Sequence, residues 1–331
     1  MIHNKSIPHI AIVGAGQLGS RHLQGLAKID RDIQITVVDP NPAALERSRQ
    51  RFDKMPPNVH IRSIRYIDTH ENFDNKLDIS IIATNADVRR KVIETLLSKV
   101  QIKYLILEKI AFQSVPDFHK VISLLKSKKI KAWVNCPRRM YPFFKNLKAE
   151  LNHEDRILIK QEGNNWNLAS NAIHMLDLFA FLIEKTLFLF DASGLDGKVY
   201  KSKKNGFVEL GGILEAKSAR GDKLTLIDNK ESKDQFVLSI TSENHRYMIY
   251  QFDEKVFSAH RNDGWEEKEE LIKLPLQSEL THLAINQILD TGKCDITPIM
   301  ESFALHKPML DAFNMHLSAI HGKSINVCPI T

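Results

Sequence analysis

The sequence predicts an α/β protein of two domains. The first is a doubly wound parallel sheet, and the second is an α+β domain with a largely antiparallel sheet open on one face. Three observations predict this. Up to about residue 134, short β-branched apolar runs alternate with helices of 3.6-residue period, which implies parallel pairing through right-handed crossovers. Beyond it, runs of period 2 separated by turns take over. The length of 331 residues suits two domains of ordinary size. The expected boundaries are 1–134 and 135–331.

Each element follows from its own pattern. His9 to Val13 reads as a strand buried on both faces, and Ser20 to Ile29 as an amphipathic helix. Ile33 to Val38 is a second strand closed by Asp39-Pro40, and Pro42 to Phe52 a second helix. The alternation continues with strands at Leu77 to Ala83, Tyr104 to Leu107 and Ile130 to Asn135, and helices at Ala86 to Val100 and Val115 to Lys128. After Asn135, Ile157 to Glu162 is strand-like and Leu168 to Ile183 is a strongly apolar helix. Five alternating runs between Phe207 and His260 then predict the antiparallel sheet, with turns at Ala219 to Asp222 and Arg261 to Gly264. Helices at Ser278 to Asp290 and Met300 to Ile320 close the chain. An open sheet face invites a second copy, so a homodimer or homotetramer through that sheet is expected.

Composition narrows the function. Lysine and arginine number 46 against 40 acidic residues, a net charge of +6. The lysine runs at 126–131 and 201–204 carry no interleaved aromatic residues for base stacking, so they read as solvated surface and nucleic acid is not expected as a partner. Cys136, Cys294 and Cys328 lack paired spacing, which argues against a disulfide framework and a zinc site. No apolar run reaches a membrane span, and Met1 to His9 lacks the apolar core of a signal peptide, so a cytoplasmic enzyme without membrane contact or metal is expected.

Gly14, Gly16 and Gly19 form GxGxxG between the first strand and helix. Gly14 permits the tight turn, Gly16 lets a pyrophosphate approach, Gly19 allows close packing, and Gln17 and Leu18 lie between them at the helix N-terminus. The second strand ends at Asp39, 20 residues after Gly19, the spacing of an acid that binds a ribose 2′-hydroxyl. The competing reading is a glycine turn in a domain that binds no nucleotide. A carboxylate at 39 repels a 2′-phosphate and Pro40-Asn41 supplies no offsetting cation, so NAD is favoured over NADP.

Four segments, in order, carry a family resemblance: Val13 to His22, with GxGxxGxxH; Ile82-Ala83-Thr84-Asn85; Leu107-Glu108-Lys109-Ile110; and Ala172-Ile173-His174-Met175-Leu176-Asp177. In these the chain resembles the Gfo/Idh/MocA oxidoreductases, the glucose–fructose oxidoreductase and inositol dehydrogenase group, along almost its whole length. The resemblance implies a Rossmann domain followed by a substrate and oligomerisation domain. It also implies hydride transfer between nicotinamide and a carbinol carbon of a sugar, polyol or nucleotide-linked sugar. Thr84, Asn85 and Glu108 are then expected beside the cofactor, with Glu108 orienting Lys109 or the nearby backbone. Lys109 is the expected cation at the reacting oxygen, His174 the general acid/base, and Asp177, one turn on, its orienting partner or a holder of a substrate hydroxyl. The competing readings are a surface lysine and a core histidine. His22 is expected to be structural. Arg139, Trp166 and Asn171 are weaker candidates for substrate contact, with a salt bridge as the competing reading for Arg139 and a plain surface loop for Asn164 to Asn167.

Three positions depart from the family pattern. Ile110 and Asn85 replace prolines, and Arg89 stands where a histidine is common. They keep two alternatives open: a non-catalytic NAD- and sugar-binding regulator of the same fold, and a glycosidase that retains NAD and works by transient oxidation and elimination.

Overall fold

A computed structural model of the chain describes residues 6–69, 73, 75–152, 155–231 and 235–331. The reading of Met1 to His9 therefore lies partly outside the described residues. In chain order the first elements are β1 (His9–Val13), α1 (Gln17–Leu26), β2 (Ile33–Val38), α2 (Pro42–Phe52), β3 (Ile61–Ile67), β4 (Lys76–Ile82), α3 (Ala86–Lys99), β5 (Gln101–Leu107), α4 (Val115–Ser127) and β6 (Lys131–Val134). There follow α5 (Pro142–Glu150), β7 (Leu158–Gly163), α6 (Leu168–Ile183), β8 (Leu189–Asp191), β9 (Tyr200–Lys201), β10 (Val208–Glu209), β11 (Gly212–Lys217) and β12 (Lys223–Asp228). The chain ends with β13 (Val237–Thr241), β14 (His245–Tyr250), β15 (Lys255–His260), β16 (Glu267–Leu271), α7 (Gln277–Thr291), β17 (Thr297–Pro298) and α8 (Ile299–His321).

The elements form two units. The first, a Rossmann-type domain, holds a seven-stranded sheet in the order β17-β6-β5-β4-β1-β2-β3. Strands β1 to β6 pair in parallel, and β17 is antiparallel to β6. β1, flanked on both sides, is buried over its whole length, as its unbroken apolar run requires. The ladder runs one residue past several strands: Gly14 N–H donates to Val38 O, Ala83 to Val13 O, Glu108 to Ile82 O and Asn135 to Leu107 O. The chain exits after β1, β4, β5 and β6 are thereby aligned along the carboxyl edge of the sheet. The order reverses between β1 and β4, the switch point at which such sheets bind ligands.

Residues 275–299, which the sequence pattern assigns to the second domain, fall in this first unit. The physical reason is a return of the chain. β17 extends the sheet beyond β6, and α7 lies against α1 at Gly25, where a Cβ would come within 2.7 Å of Thr281 Cβ. No local pattern in 275–299 reveals that destination.

The second unit carries an eight-stranded sheet in the order β16-β15-β14-β13-β7-β12-β11-β8. β7 and β12 are parallel and every other pair is antiparallel, so the sheet is mixed. One face is apolar in strict register: Ile159 pairs with Leu224 and Ile240, and Leu226 with Leu214, all of them buried. The other face presents Leu158, Ile213 and Met248, 39–45% exposed. Helix α6 is almost wholly buried, which explains its unusually apolar sequence. No helix among the described residues is long and apolar enough to cross a membrane.

Candidate active site

In the first unit the glycine turn follows directly from the β1 ladder. Gly14 has φ +100°, a conformation costly for any residue with a Cβ, and a Cβ there would also meet Ala83 and Thr84 backbone atoms at 3.0–3.1 Å. A Cβ on Gly19 would lie 1.8 Å from Gly14 O, so the helix packs onto the turn itself. Gly16 differs from both: a Cβ there meets nothing within 4 Å, and this residue, with Gln17 and Leu18, is exposed. Gly16 caps α1 without any side-chain hydrogen bond, leaving the first N–H groups of the helix directed outward.

Asp39 closes the other side of the turn. Its Oδ2 accepts from Ala15 N–H at 2.7 Å and its Oδ1 from Asn41 N–H at 2.9 Å. Each oxygen keeps a second lone pair for a further donor. In the loop after β4, Thr84 Oγ1 is buried and has no hydrogen-bond partner among the described residues, and Asn85 is exposed. An open approach at Gly16, helix N–H groups without a side-chain cap, an orphaned hydroxyl at Thr84 and a fixed carboxylate at Asp39 fit a dinucleotide lying across the switch point.

The turn after β5 is held from beneath. Glu108 is 3% exposed, and its Oε1 contacts His22 Nε2 at 2.7 Å and accepts from Asn135 Nδ2 at 2.6 Å. His22 Nδ1 lies 3.0 Å from Thr281 Oγ1 of α7, and Asn135 also donates to Gln277. Burial works against the charge on Glu108, but His22, Asn135 and the positive Arg89 outweigh it and hold its pKa down to about 2. The side chain expected near the cofactor is thus directed into the domain. Lys109 follows, half-buried between buried Glu108 and Ile110, and its peptide bond to Ile110 is cis. Arg89 donates to the carbonyl oxygens of Thr84, Glu108, Ile110 and Ala111.

In the second unit α6 positions the remaining candidates. Its N-terminus is bound by two buried acids, Asp228 accepting from Leu168 N–H at 3.1 Å and Glu209 from Ser170 N–H at 3.2 Å, where the helix dipole favours negative charge. Only Asn171, His174 and Phe181 of the helix are not buried, and with Asp177 they fall on one face. Asp177 itself is fully buried in a two-pronged ion pair: Arg139 Nε and Nη2 lie 2.8 Å from its two oxygens. Arg139 also reaches Glu301 Oε1 at 2.7 Å and lies over the Phe181 ring. It borders a cavity of about 730 Å³ that Lys148, Glu184 and Arg220 also line. Trp166, the aromatic residue of the polar loop, donates its Nε1–H to Ile227 O and packs on Phe236, and Asn171 donates to Trp166 O. The polar groups of that loop therefore brace it.

Residues 9–136 match the family described as "Oxidoreductase family, NAD-binding Rossmann fold", Gfo/Idh/MocA. Residues 9–136 thus match the NAD-binding Rossmann domain of the Gfo/Idh/MocA oxidoreductases. Among curated proteins none matches it in sequence. Solved structures of similar fold include UDP-N-acetylglucosamine 3-dehydrogenase from Acidithiobacillus ferrooxidans. It is 12% identical, with a TM-score of 0.69, and the alignment covers 93% of this chain and 97% of that one. A mutant of KijD10, a 3-ketoreductase from Actinomadura kijaniata in complex with TDP-benzene and NADP, is 12% identical with a TM-score of 0.69, covering 92% and 96%. The super-repressor mutant of Gal80p from Saccharomyces cerevisiae is 12% identical with a TM-score of 0.71, covering 97% and 98%. At these identities the likeness establishes the fold alone.

Several residues of the site were not legible in the sequence. Asn135, Gln277 and Thr281 complete the network around Glu108, and two of them come from the returning helix that no local pattern locates. Asp228 and Glu209 offered a fainter signal, acids at strand ends near an apolar helix. Arg89 stood out only as a departure from the family pattern.

Proposed function

We propose that the protein is an NAD-dependent dehydrogenase that transfers hydride between nicotinamide and a carbinol carbon of a sugar, polyol or nucleotide-linked sugar. The observation that carries the reading is the glycine turn at the switch point, open at Gly16 and braced by the Asp39 carboxylate. Gly14, Gly16, Gln17, Leu18 and Gly19 would hold the pyrophosphate, Asp39 the adenosine ribose, and Thr84 with Asn85 the nicotinamide half. When bound, the nicotinamide supplies the hydride acceptor or donor. The chain's own residues handle charge and proton. Lys109 stabilises negative charge on the substrate oxygen, and His174 takes the hydroxyl proton on oxidation and returns it on reduction. Asp177, clasped by Arg139, acts by fixing the face of α6 that carries His174. Glu108 acts from within the domain, as the base on which the Lys109 turn rests.

NAD is preferred because Asp39 is a hydrogen-bond acceptor for a 2′-hydroxyl and repels a 2′-phosphate. The half-exposed face of the mixed sheet, with Leu158, Ile213 and Met248, supports a homodimer or homotetramer. A second reading, a sugar-responsive regulator, is favoured by the likeness to Gal80p. Turnover separates the two: a dehydrogenase reduces NAD with a hydroxyl substrate, whereas a regulator binds both ligands and leaves them unchanged.

A further inference from the structure

We infer that Arg89 is the positioning residue for Lys109, and this rests on the role given to Lys109 above. Arg89 lies in the first turns of α3 and is 1% exposed. Its Nη1 donates to Glu108 O at 2.6 Å, to Ala111 O at 2.9 Å and to Ile110 O, while Nη2 donates to Thr84 O. These acceptors belong to two separate turns, one after β4 and one after β5. Carbonyl groups in such turns lie beyond the strand ladder and need a donor from elsewhere once buried. A single planar fork supplies it to four of them and ties the two turns together.

The consequence falls on Lys109. Glu108, Ile110, Ala111 and Phe112 are each 3% exposed or less, whereas Lys109 is half-exposed. Three of the clasped carbonyls flank the lysine on both sides, so its Cα is fixed and only its side chain emerges. The fourth belongs to Thr84, whose buried hydroxyl is a candidate cofactor contact. Burial presses the guanidinium pKa down to about 10, opposed by Glu108 and Asp87, so the clasp remains charged at neutral pH. Lysine at 89 could not reproduce it: a compact ammonium has three donors and no planar fork. A residue in this place touches neither cofactor nor substrate. It acts through the two turns that do.

The test uses the full chain with Arg89→Lys and Arg89→Ala. Its first measurement requires no turnover: the rate of reductive methylation of Lys109 relative to exposed Lys76, read by peptide mass spectrometry, with and without added guanidinium ion. Both variants should change that ratio by about fivefold or more, and guanidinium but not urea should restore it in Arg89→Ala. Where the wild type turns over, kcat should fall about 100-fold, the cost of a misplacement near 1 Å, with KM within about threefold. An unchanged Lys109 ratio in a folded variant, or loss of kcat that guanidinium does not restore, overturns the inference. If Arg89→Ala does not fold, the ratio in Arg89→Lys decides. A wild type that oxidises no hydroxyl substrate counts against the dehydrogenase reading alone, because the Lys109 ratio is still measured.

Discussion

Lys109 and His174 carry the proposed proton and charge handling, and each is half-exposed on an otherwise buried stretch. Lys109→Met and His174→Ala should each lower turnover by at least about 100-fold, the lower range for lost acid–base catalysis, with NAD affinity and melting temperature near wild type. Steady-state rates and thermal melts check this. Asp39→Ser should weaken NAD about tenfold and reduce discrimination against NADP, measured by titration of both nucleotides. Glu108 gives a prediction in pH. Its folded pKa, about 2, lies below the ordinary value of 4.5, so the stability it contributes is full above pH 4.5 and is lost as pH falls toward 2. That contribution is on the order of 3 kcal/mol, and Glu108→Gln should lower the melting temperature at neutral pH while flattening the acid limb. Individual residue types were legible in the sequence where spacing carries chemistry, as at Gly14, Gly19 and Asp39. Partners were not. Nothing local signals that Arg139 meets Asp177, 38 residues away, or that Glu108 faces His22.

At the scale of elements, strands buried on both faces and helices with one apolar face announced themselves, and β1, α1, β2 and α6 lie close to where the pattern places them. The elements missed include the short helix α5 and strands at edges, where packing does not impose a pattern. β3 has exposed Arg62, Ser63 and Arg65, and β16 is exposed throughout. The face of α6 gives a further prediction. Asp177→Ala leaves the Arg139 guanidinium buried without this carboxylate and should cost about 3–5 kcal/mol in urea denaturation. Replacing both residues by apolar ones of similar size should cost markedly less than the two single changes together. In α1, Gly19→Ala should abolish NAD binding, since its Cβ cannot coexist with Gly14 O at 1.8 Å without reshaping the turn.

At the scale of the molecule, the change of period near Asn135 marks the passage from a parallel sheet to a mixed one, and composition could locate that change but not the return of 275–299 to the first unit. The mixed sheet should join copies of the chain. Light scattering in line with gel filtration should therefore give a multiple of the 37.9 kDa chain mass, and a monomeric mass would contradict the assembly. The proposed reaction is hydride transfer. Its most direct test is absorbance at about 340 nm, where reduced nicotinamide absorbs, with the protein, NAD and a panel of polyols, sugars and nucleotide sugars. A rise is expected with at least one hydroxyl substrate, with one keto product per NADH and loss of the signal in Lys109→Met. Tight binding of NAD and a sugar with no NADH from any member of the panel, or product formed without NADH, would contradict it.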